Sequence, residues 1–243
     1  MPPANRLHYS AQALQFRQRP FGFAVWRANL YNARVHLAYP ILLNVKDVLV
    51  VIVGGGSVAV RKANGLLEAG ATRVRVVSPD ISPDMPAGVE RVVARYEKSH
   101  LSGAKLVFAA TNDSAVNEQV AADARQLGIL VNRCDSNEEG SDFLTPAAWR
   151  HEHVTVAVST SAGPSIAAKI RDLIRLELEP QWLALAAAMA EIRPRILASS
   201  SLPSDVKTAT LRRCACDEVA HAAQLHGTQG VLSLIEEWTG VSL

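Results

Sequence analysis

The stretch VVIVGGGSVAVRKA, residues 50–63, decides the fold of this chain. Its continuous apolar, β-branched run predicts a buried strand, and the three glycines lead into a sequence typical of a helix. This is the order of a dinucleotide-binding loop: Gly54 permits a tight turn, Gly56 lets a pyrophosphate approach the main chain, and Ala59 lets the helix pack closely on the strand. A helix beginning near Ser57 would direct its unpaired N–H groups at the phosphates. The stretch therefore predicts a dinucleotide site.

The bulk composition is that of an ordinary globular protein. The chain has 243 residues, of which 49% are hydrophobic, and this is long enough for one large domain or two modest ones. A net charge of +2 predicts no strong attraction to nucleic acid. Three cysteines argue against a disulfide framework and favour the cytoplasm. No apolar run reaches the roughly 20 residues that a membrane span needs, so we expect no membrane association.

The amino-terminal region differs from the rest in charge. The first 46 residues contain five Arg, one Lys and no acidic residue. This is similar to a transit peptide, but serine is scarce, and an irregular extension or a start codon assigned too far upstream explains the composition better. Sequence typical of ordered structure begins near Tyr39-Pro40. We therefore predict a basic extension (1–38), a nucleotide-binding domain (39–142), a strand-and-helix segment (143–180) and a helical carboxyl-terminal domain (181–243).

Strands and helices alternate after the glycine loop. This predicts right-handed βαβ units and a Rossmann-type parallel sheet, an α/β fold. The predicted strands cover residues 48–53, 74–77, 89–94, 106–110 and 129–132, and the predicted helices cover 57–69 and 114–127. Beyond about residue 140 the pattern predicts one strand at 154–159, one helix at 164–178 and Ala-rich helices from Trp182 onward. The apolar, Pro-containing stretch 143–149 is assigned no element.

The end of the second predicted strand bears on which nucleotide binds. A Rossmann site normally has an acidic residue there, which binds the ribose 2′-OH. Here Ser78 holds that position and Asp80 comes two residues later. NAD stays favoured, but NADP is left open, with Arg73 or Arg75 as conceivable partners of its extra phosphate. The alternative for Asp80 is a turn residue after Pro79.

Polar residues also follow the fourth and fifth predicted strands, where ligands of open α/β sheets bind. Ala110 and Thr111 are expected to face the cofactor, whereas Asp113 or Ser114 could instead cap the next helix. Asp135 would lie at the same sheet edge as the glycine loop, where a carboxylate is a candidate general base. The alternative is a turn residue before Ser136.

As an ordered set these motifs resemble the precorrin-2 dehydrogenase/sirohydrochlorin ferrochelatase family, the amino-terminal module of siroheme synthase. The resemblance covers about residues 39–180. The motifs that carry it are Tyr39-Pro40-Ile41-Leu42-Leu43, Val53-Gly54-Gly55-Gly56-Ser57-Val58-Ala59-Val60-Arg61-Lys62, Leu67-Glu68-Ala69-Gly70-Ala71, Val77-Ser78-Pro79, Ala109-Ala110-Thr111-Asn112-Asp113, Val116-Asn117, Val131-Asn132-Arg133-Cys134-Asp135, Phe143-Leu144-Thr145-Pro146-Ala147 and Val156-Ala157-Val158-Ser159-Thr160.

The resemblance implies that NAD⁺ takes a hydride from precorrin-2 to give sirohydrochlorin in siroheme biosynthesis. It assigns catalysis to Asp135, whose ionised carboxylate can take the proton that the oxidised macrocycle sheds. The cofactor-binding residues are then Gly54, Gly55, Gly56, Ser57, Val58, Pro79, Asp80, Ala110 and Thr111. Insertion of Fe²⁺ into the product is a second activity of the family. The resemblance favours dehydrogenation over metal insertion here, because we expect a stand-alone form without a methyltransferase module, and some relatives of that form leave metal insertion to a separate chelatase.

The implied substrate carries many carboxylates, so its pocket needs cations or N–H donors. The expected substrate-binding residues are Arg133, Thr160, Ser161 and Lys169, and further candidates are Arg150, His151, His153, Arg171 and the helix start at Gly163-Pro164-Ser165. The loop 159–165 departs from the family pattern, since Pro164 precedes Ser165 where the family has the reverse order. No metal site is expected, because His151-Glu152-His153 and Cys214-x-Cys216 have no evident third ligand.

The resemblance also implies a homodimer formed through residues 154–178, whose strand and helix are apolar enough to pack across a two-fold axis. The alternative function is a non-catalytic NAD(H)-sensing module, which needs no carboxylate at Asp135. A short-chain-type reductase is disfavoured, because no tyrosine of the chain has a lysine four residues later.

Overall fold

The glycine loop leaves the central strand of a five-stranded parallel sheet. The computed structural model of the protein describes residues 38–135 and 140–243. In these the sheet has the order β3-β2-β1-β4-β5. The strands are β1 (Leu49–Val53), β2 (Arg73–Val77), β3 (Glu90–Val92), β4 (Leu106–Ala109) and β5 (Leu130–Arg133). The register sets Val53 beside both Val77 and Ala109, so three strands end together at one edge. The predicted Rossmann-type fold is confirmed.

Two helices cover the two faces of this sheet. Helix α1 (Ser57–Glu68) packs the small side chains of Ala59 and Ala63 on the face that holds Ile52. Helix α2 (Ser114–Gln126) packs on the other face, which holds Val51. Because β1 is covered on both faces, all five of its residues are buried, and its sequence is apolar throughout instead of alternating.

A two-stranded antiparallel hairpin follows the sheet. It consists of β6 (Ala147–His151) and β7 (Val154–Val158), and α3 (Pro164–Glu177) comes next in the chain. Strand β6 was not predicted, because its sequence lacks alternation and follows a proline. Glu152 takes a φ of 45° in the two-residue turn, in which His153 also lies, whereas His151 is the last residue of β6.

The carboxyl-terminal part is helical, as predicted. It contains α4 (Pro180–Ala198), α5 (Ser204–Arg213) and α6 (Asp217–Thr239). Ile192 and Ile196 of α4 and Ile235 of α6 belong to one buried cluster, separate from the two clusters of the sheet. Helix α6 is interrupted at Gly227, which has a φ of 59° and a ψ of −147°. No helix in the part of the chain that the structure describes is long and apolar enough to cross a membrane.

The predicted basic extension, residues 1–38, lies outside the described residues except for Ala38. Residues 136–139, which follow Asp135, also lie outside them. The predicted boundaries at 142 and 180 stay predictions.

The central strand supplies a test of this packing. Ile52 is 0% exposed, so Ile52→Ala should leave a cavity and lower the free energy of unfolding by about 2–5 kcal/mol. Urea denaturation followed by circular dichroism measures this. Val93→Ala is the matched control, because Val93 is 72% exposed and its truncation should change stability by less than about 0.5 kcal/mol. Equal losses in both variants would contradict the assigned core.

Candidate active site

A cavity of about 840 Å³ opens at the edge of the sheet where β1, β2 and β4 end. This is the point at which the strand order reverses, since β2 and β4 lie on opposite sides of β1. All nine residues predicted to bind the cofactor line this cavity, namely Gly54, Gly55, Gly56, Ser57, Val58, Pro79, Asp80, Ala110 and Thr111. The structure thus brings the whole predicted set together at one place.

The three glycines serve different needs. A Cβ on Gly54, whose φ is +125°, would lie 2.3 Å from the main-chain oxygen of Ala110. A Cβ on Gly55 would lie 2.0 Å from the main-chain oxygen of Asp80. Gly56 has an ordinary φ of −84°, and a Cβ there would meet no described atom within 4 Å. Gly56 therefore borders open space in the cavity, which is what the close approach of a ligand requires.

The helix that follows the loop offers its amino-terminal end to the same cavity. No side chain in the described part of the chain caps α1, and its first turn contains no acidic residue. Helix α2, in contrast, is capped by Asp113, whose Oδ1 accepts a hydrogen bond from the N–H of Ala115 at 2.9 Å. This confirms capping by Asp113, while Thr111 lines the cavity. An uncapped helix terminus beside a cradle of glycines fits a pyrophosphate.

The cavity wall contains an arginine side chain, Arg95, that the sequence did not indicate. Arg75 donates from Nε to Glu90 Oε2 at 2.9 Å, and neither it nor Arg73 belongs to the cavity wall. Arg95 does line the cavity, whereas the two arginines considered from sequence do not. Its position in the sequence could have indicated this, because Arg95 directly follows the third predicted strand.

Tyr96, the next residue, also lines the cavity. Its hydroxyl donates to Asp123 Oδ2 at 3.1 Å. Burial, together with this hydrogen bond, raises the pKa of Tyr96 well above its ordinary value. The phenol therefore keeps its proton, and Tyr96 contributes a neutral ring to the cavity wall.

Asp135 lies just after β5 and is held by an arginine fork. Arg133 donates from Nε to Asp135 Oδ1 at 3.1 Å and from a terminal nitrogen to Oδ2 at 2.8 Å. The other terminal nitrogen of Arg133 pairs with Glu118. The Arg133 side chain is only 4% exposed, so its guanidinium is committed to protein carboxylates. The geometry gives no support to the expected contact between Arg133 and substrate.

Asn117 joins Asp135 to the cavity. This fully buried side chain donates from Nδ2 to Asp135 Oδ2 at 3.2 Å and to the main-chain oxygen of Thr111 at 3.0 Å. Its Oδ1 accepts from the Thr111 N–H at 3.1 Å and from the Thr111 hydroxyl at 2.8 Å. Asp135 itself is outside the cavity wall, one hydrogen-bonded residue behind it. Asn117 carried part of the resemblance, but sequence reasoning gave it no role.

A lysine connects α1 to the segment that leads into β6. Lys62 donates to the hydroxyl of Thr145, and its Nζ lies 5.3 Å from the centroid of the Phe108 ring. Phe143 packs edge-on against the same ring at 5.4 Å. Burial lowers the pKa of Lys62 and raises the pKa of the neighbouring Cys134 thiol. These contacts fix the start of the strand-and-helix segment on the nucleotide-binding part.

The remaining substrate candidates lie elsewhere. Thr160 and Ser161 lie in the turn after β7, where Thr160 Oγ1 accepts from the N–H of Ala162 at 3.1 Å. Lys169 is exposed on α3. None of the three belongs to the cavity wall. Among residues 38–135 and 140–243, no group of three or more His, Cys, Asp or Glu side chains could hold a metal ion.

Comparison with known proteins identifies a matching family model and similar curated proteins. Residues 41–147 match the family model NAD_binding_7, whose description is "Putative NAD(P)-binding". A siroheme synthase of Chromobacterium violaceum is 40% identical over 139 residues, which are 55% of this chain and 29% of that protein. Siroheme synthase 2 of Aeromonas hydrophila is 34% identical over 193 residues, which are 78% of this chain and 40% of that protein. The chain thus spans well under half the length of these curated relatives.

A solved structure shares the fold. It is that of SirC, a precorrin-2 dehydrogenase, with a TM-score of 0.68 and 24% sequence identity, and the match covers 82% of this chain and all of that one. The match in fold extends beyond the nucleotide-binding region that the family model covers. The resemblance found in the sequence is therefore confirmed: this chain is similar in sequence to siroheme synthases, and it shares the fold of the precorrin-2 dehydrogenase SirC.

Proposed function

We propose that this chain dehydrogenates precorrin-2 to sirohydrochlorin with NAD⁺, a step of siroheme biosynthesis. One observation carries the proposal: Asp135 is held by Arg133 and Asn117, and Asn117 is bonded directly to Thr111 of the nucleotide cavity. A proton acceptor is thus fixed beside a site that fits a dinucleotide. NAD⁺, when bound, supplies the hydride acceptor.

The other roles in the proposed reaction, which are accepting the proton, positioning the carboxylate and binding the substrate, are assigned to residues of the chain itself. Loss of a hydride leaves a cationic macrocycle that must shed a proton, and we assign the Asp135 carboxylate to take it. The Arg133 fork fixes both carboxylate oxygens, because two parallel N–H donors set the plane of the group. We therefore reassign Arg133 from substrate contact to the positioning of Asp135. Thr160, Ser161 and Lys169 stay predicted substrate contacts from the neighbouring segment.

The other functions considered from sequence have less support. A sensing module that binds NAD(H) needs the cavity but has no use for a carboxylate locked by an arginine fork and a buried amide. Insertion of Fe²⁺ into sirohydrochlorin, with iron as substrate, stays a prediction of the resemblance. For the cell compartment we propose the cytoplasm, since Cys134, Cys214 and Cys216 are free thiols.

We further propose that the chain acts as a homodimer. On α3, Ile166, Ile170, Leu173 and Ile174 recur at helical spacing, and each is 38–49% exposed. A continuous apolar stripe on a helix is typical of an interface. The stripe lies in the segment 154–178 for which the resemblance implies dimerisation. A second copy of the chain, meeting its own stripe across a two-fold axis, would cover it.

The glycine loop provides a matched pair of variants. Gly56→Ala should fold with unchanged thermal stability, since a Cβ at this position meets no described atom within 4 Å. Its NAD⁺ affinity should fall by roughly tenfold or more, because the added methyl group occupies the space through which the pyrophosphate approaches the main chain. Gly55→Ala should lose stability as well as affinity. Calorimetric titration and thermal unfolding separate the two effects. Unchanged NAD⁺ binding in Gly56→Ala would overturn the placement of the cofactor.

Asp135 is tested by an isosteric change. Asp135→Asn should bind NAD⁺ normally but lose kcat by roughly 10²–10⁴-fold in the conversion of precorrin-2, followed by the absorbance of sirohydrochlorin. Asn117→Ala should lower kcat more than it raises KM, because it releases the carboxylate without touching substrate. Asp205→Asn on α5 is the matched control. Full turnover by Asp135→Asn would sink the catalytic assignment, and wild-type protein that binds NAD⁺ without reacting would favour the sensing module.

The dimer is tested on the α3 stripe. Ile170→Asp should convert a wild-type dimer to a monomer at micromolar concentration, because a charge cannot be buried in an apolar interface without a partner. Sedimentation velocity measures the mass. Leu225→Asp is the matched control: Leu225 is an exposed leucine on α6, 60% accessible, and its replacement should leave the dimer intact. A monomeric wild-type protein would rule the proposal out.

A further inference from the structure

We propose that the nucleotide cavity accepts NADP⁺ as well as NAD⁺, and that Arg95 is the residue that binds the 2′-phosphate. The inference rests on the proposed function for its cofactor site, but it concerns a different contact. It makes the chain a dehydrogenase with weak discrimination between the two nicotinamide cofactors.

The first step concerns the residue that normally rejects NADP⁺. In a site specific for NAD⁺, a carboxylate at the end of the second strand binds the 2′-OH and repels a 2′-phosphate. That position is held here by Ser78, which is 9% exposed and carries no charge. Asp80, the nearest carboxylate in the cavity wall, comes two residues later. The carboxylate that would repel a 2′-phosphate is therefore absent from its usual position at the end of β2.

The second step concerns the position of Arg95. Strand β3 pairs with β2, and the pairing continues past both strand ends, since the N–H of Ser78 donates to the oxygen of Val92 at 3.1 Å and the N–H of Ala94 donates to the oxygen of Ser78 at 3.2 Å. Arg95 follows Ala94 immediately. Its backbone therefore leaves the sheet beside Ser78, at the end of the cavity where the ribose of a Rossmann cofactor lies.

The third step concerns the availability of the guanidinium. Arg95 is exposed, lines the cavity, and has no hydrogen bond or ion pair to any other residue in the described part of the chain. Two other arginines near β2 are occupied, because Arg75 pairs with Glu90 and Arg91 donates to the main-chain oxygen of Met85. A free guanidinium matches a phosphate with two parallel N–H donors.

Together these groups give the ribose end two complementary ligands. The carboxylate of Asp80 can accept the 2′-OH of NAD⁺, and the guanidinium of Arg95 can donate to the 2′-phosphate of NADP⁺. Because both charges line one cavity, neither cofactor is excluded. Arg95 thus determines cofactor selection and has no part in the transfer of hydride or proton.

The test measures binding rather than turnover. Dissociation constants of NAD⁺ and NADP⁺ are determined by calorimetric titration for wild type, Arg95→Ala, Arg95→Lys, Asp80→Asn and Arg73→Ala. We expect wild type to bind both cofactors. Arg95→Ala should weaken NADP⁺ by roughly tenfold or more while NAD⁺ changes less than about twofold. Arg95→Lys should retain part of the NADP⁺ affinity, and Asp80→Asn should strengthen NADP⁺ while weakening NAD⁺.

Arg73→Ala is the matched control, because it removes the same charge outside the cavity and should alter neither constant. Thermal unfolding verifies that each variant folds. Wild type that binds NAD⁺ but not NADP⁺, or an Arg95→Ala variant that loses both cofactors equally, would overturn the inference and leave the proposed function standing. Failure of wild type to bind either cofactor would instead overturn the proposed function.

Discussion

The site depends on the close approach of two main-chain segments at the end of the central strand. The chain leaving β1 passes so near the carbonyl of Ala110 that a Cβ on Gly54 would lie 2.3 Å from its oxygen. No side chain can occupy that space, and a φ of +125° adds a second reason for glycine. This contact sets the loop between β1 and α1 against the end of β4. Main-chain hydrogen bonds hold both segments in place, since the N–H of Gly54 donates to the oxygen of Val77 at 2.9 Å and the N–H of Ala110 donates to the oxygen of Val53 at 2.8 Å.

Behind the cavity, the polar groups form one continuous path from Thr111 through Asn117 to Asp135 and Arg133. Each buried donor and acceptor on this path has a partner, which is the condition for keeping polar side chains inside a fold. The path starts at Thr111, just after β4, and finishes at the end of β5 on the side chains of Arg133 and Asp135. Two neighbouring strands of the sheet therefore support one carboxylate, which links the fold directly to the proposed chemistry.

The sequence was sufficient to predict features that depend on the local backbone or on the periodic pattern of a single helix or strand. The glycine loop, the apolar β1 strand and the cap at Asp113 could all be predicted, because each depends on neighbours within a few positions. Arg133 could not be placed, since its ion pairs with Glu118 and Asp135 depend on how α2 packs beside β5. Arg95 was missed for the same reason: its place at the cavity follows from the pairing of β3 with β2. Strand β6 escaped prediction because its partner β7, and not its own pattern, stabilises it.

The amide of Asn117 has a direction, and this has a consequence for the whole path. Its oxygen faces Thr111, and its nitrogen faces both Thr111 and Asp135. Turning the amide by half a rotation would set its oxygen against the Asp135 carboxylate and the Thr111 carbonyl, and its nitrogen against the Thr111 N–H, so only one orientation is compatible with the folded chain. An aspartate has nearly the same shape but no N–H to donate. Position 117 therefore requires a side chain that donates as well as accepts hydrogen bonds. Its amide joins Thr111, which follows β4, to the Asp135 carboxylate.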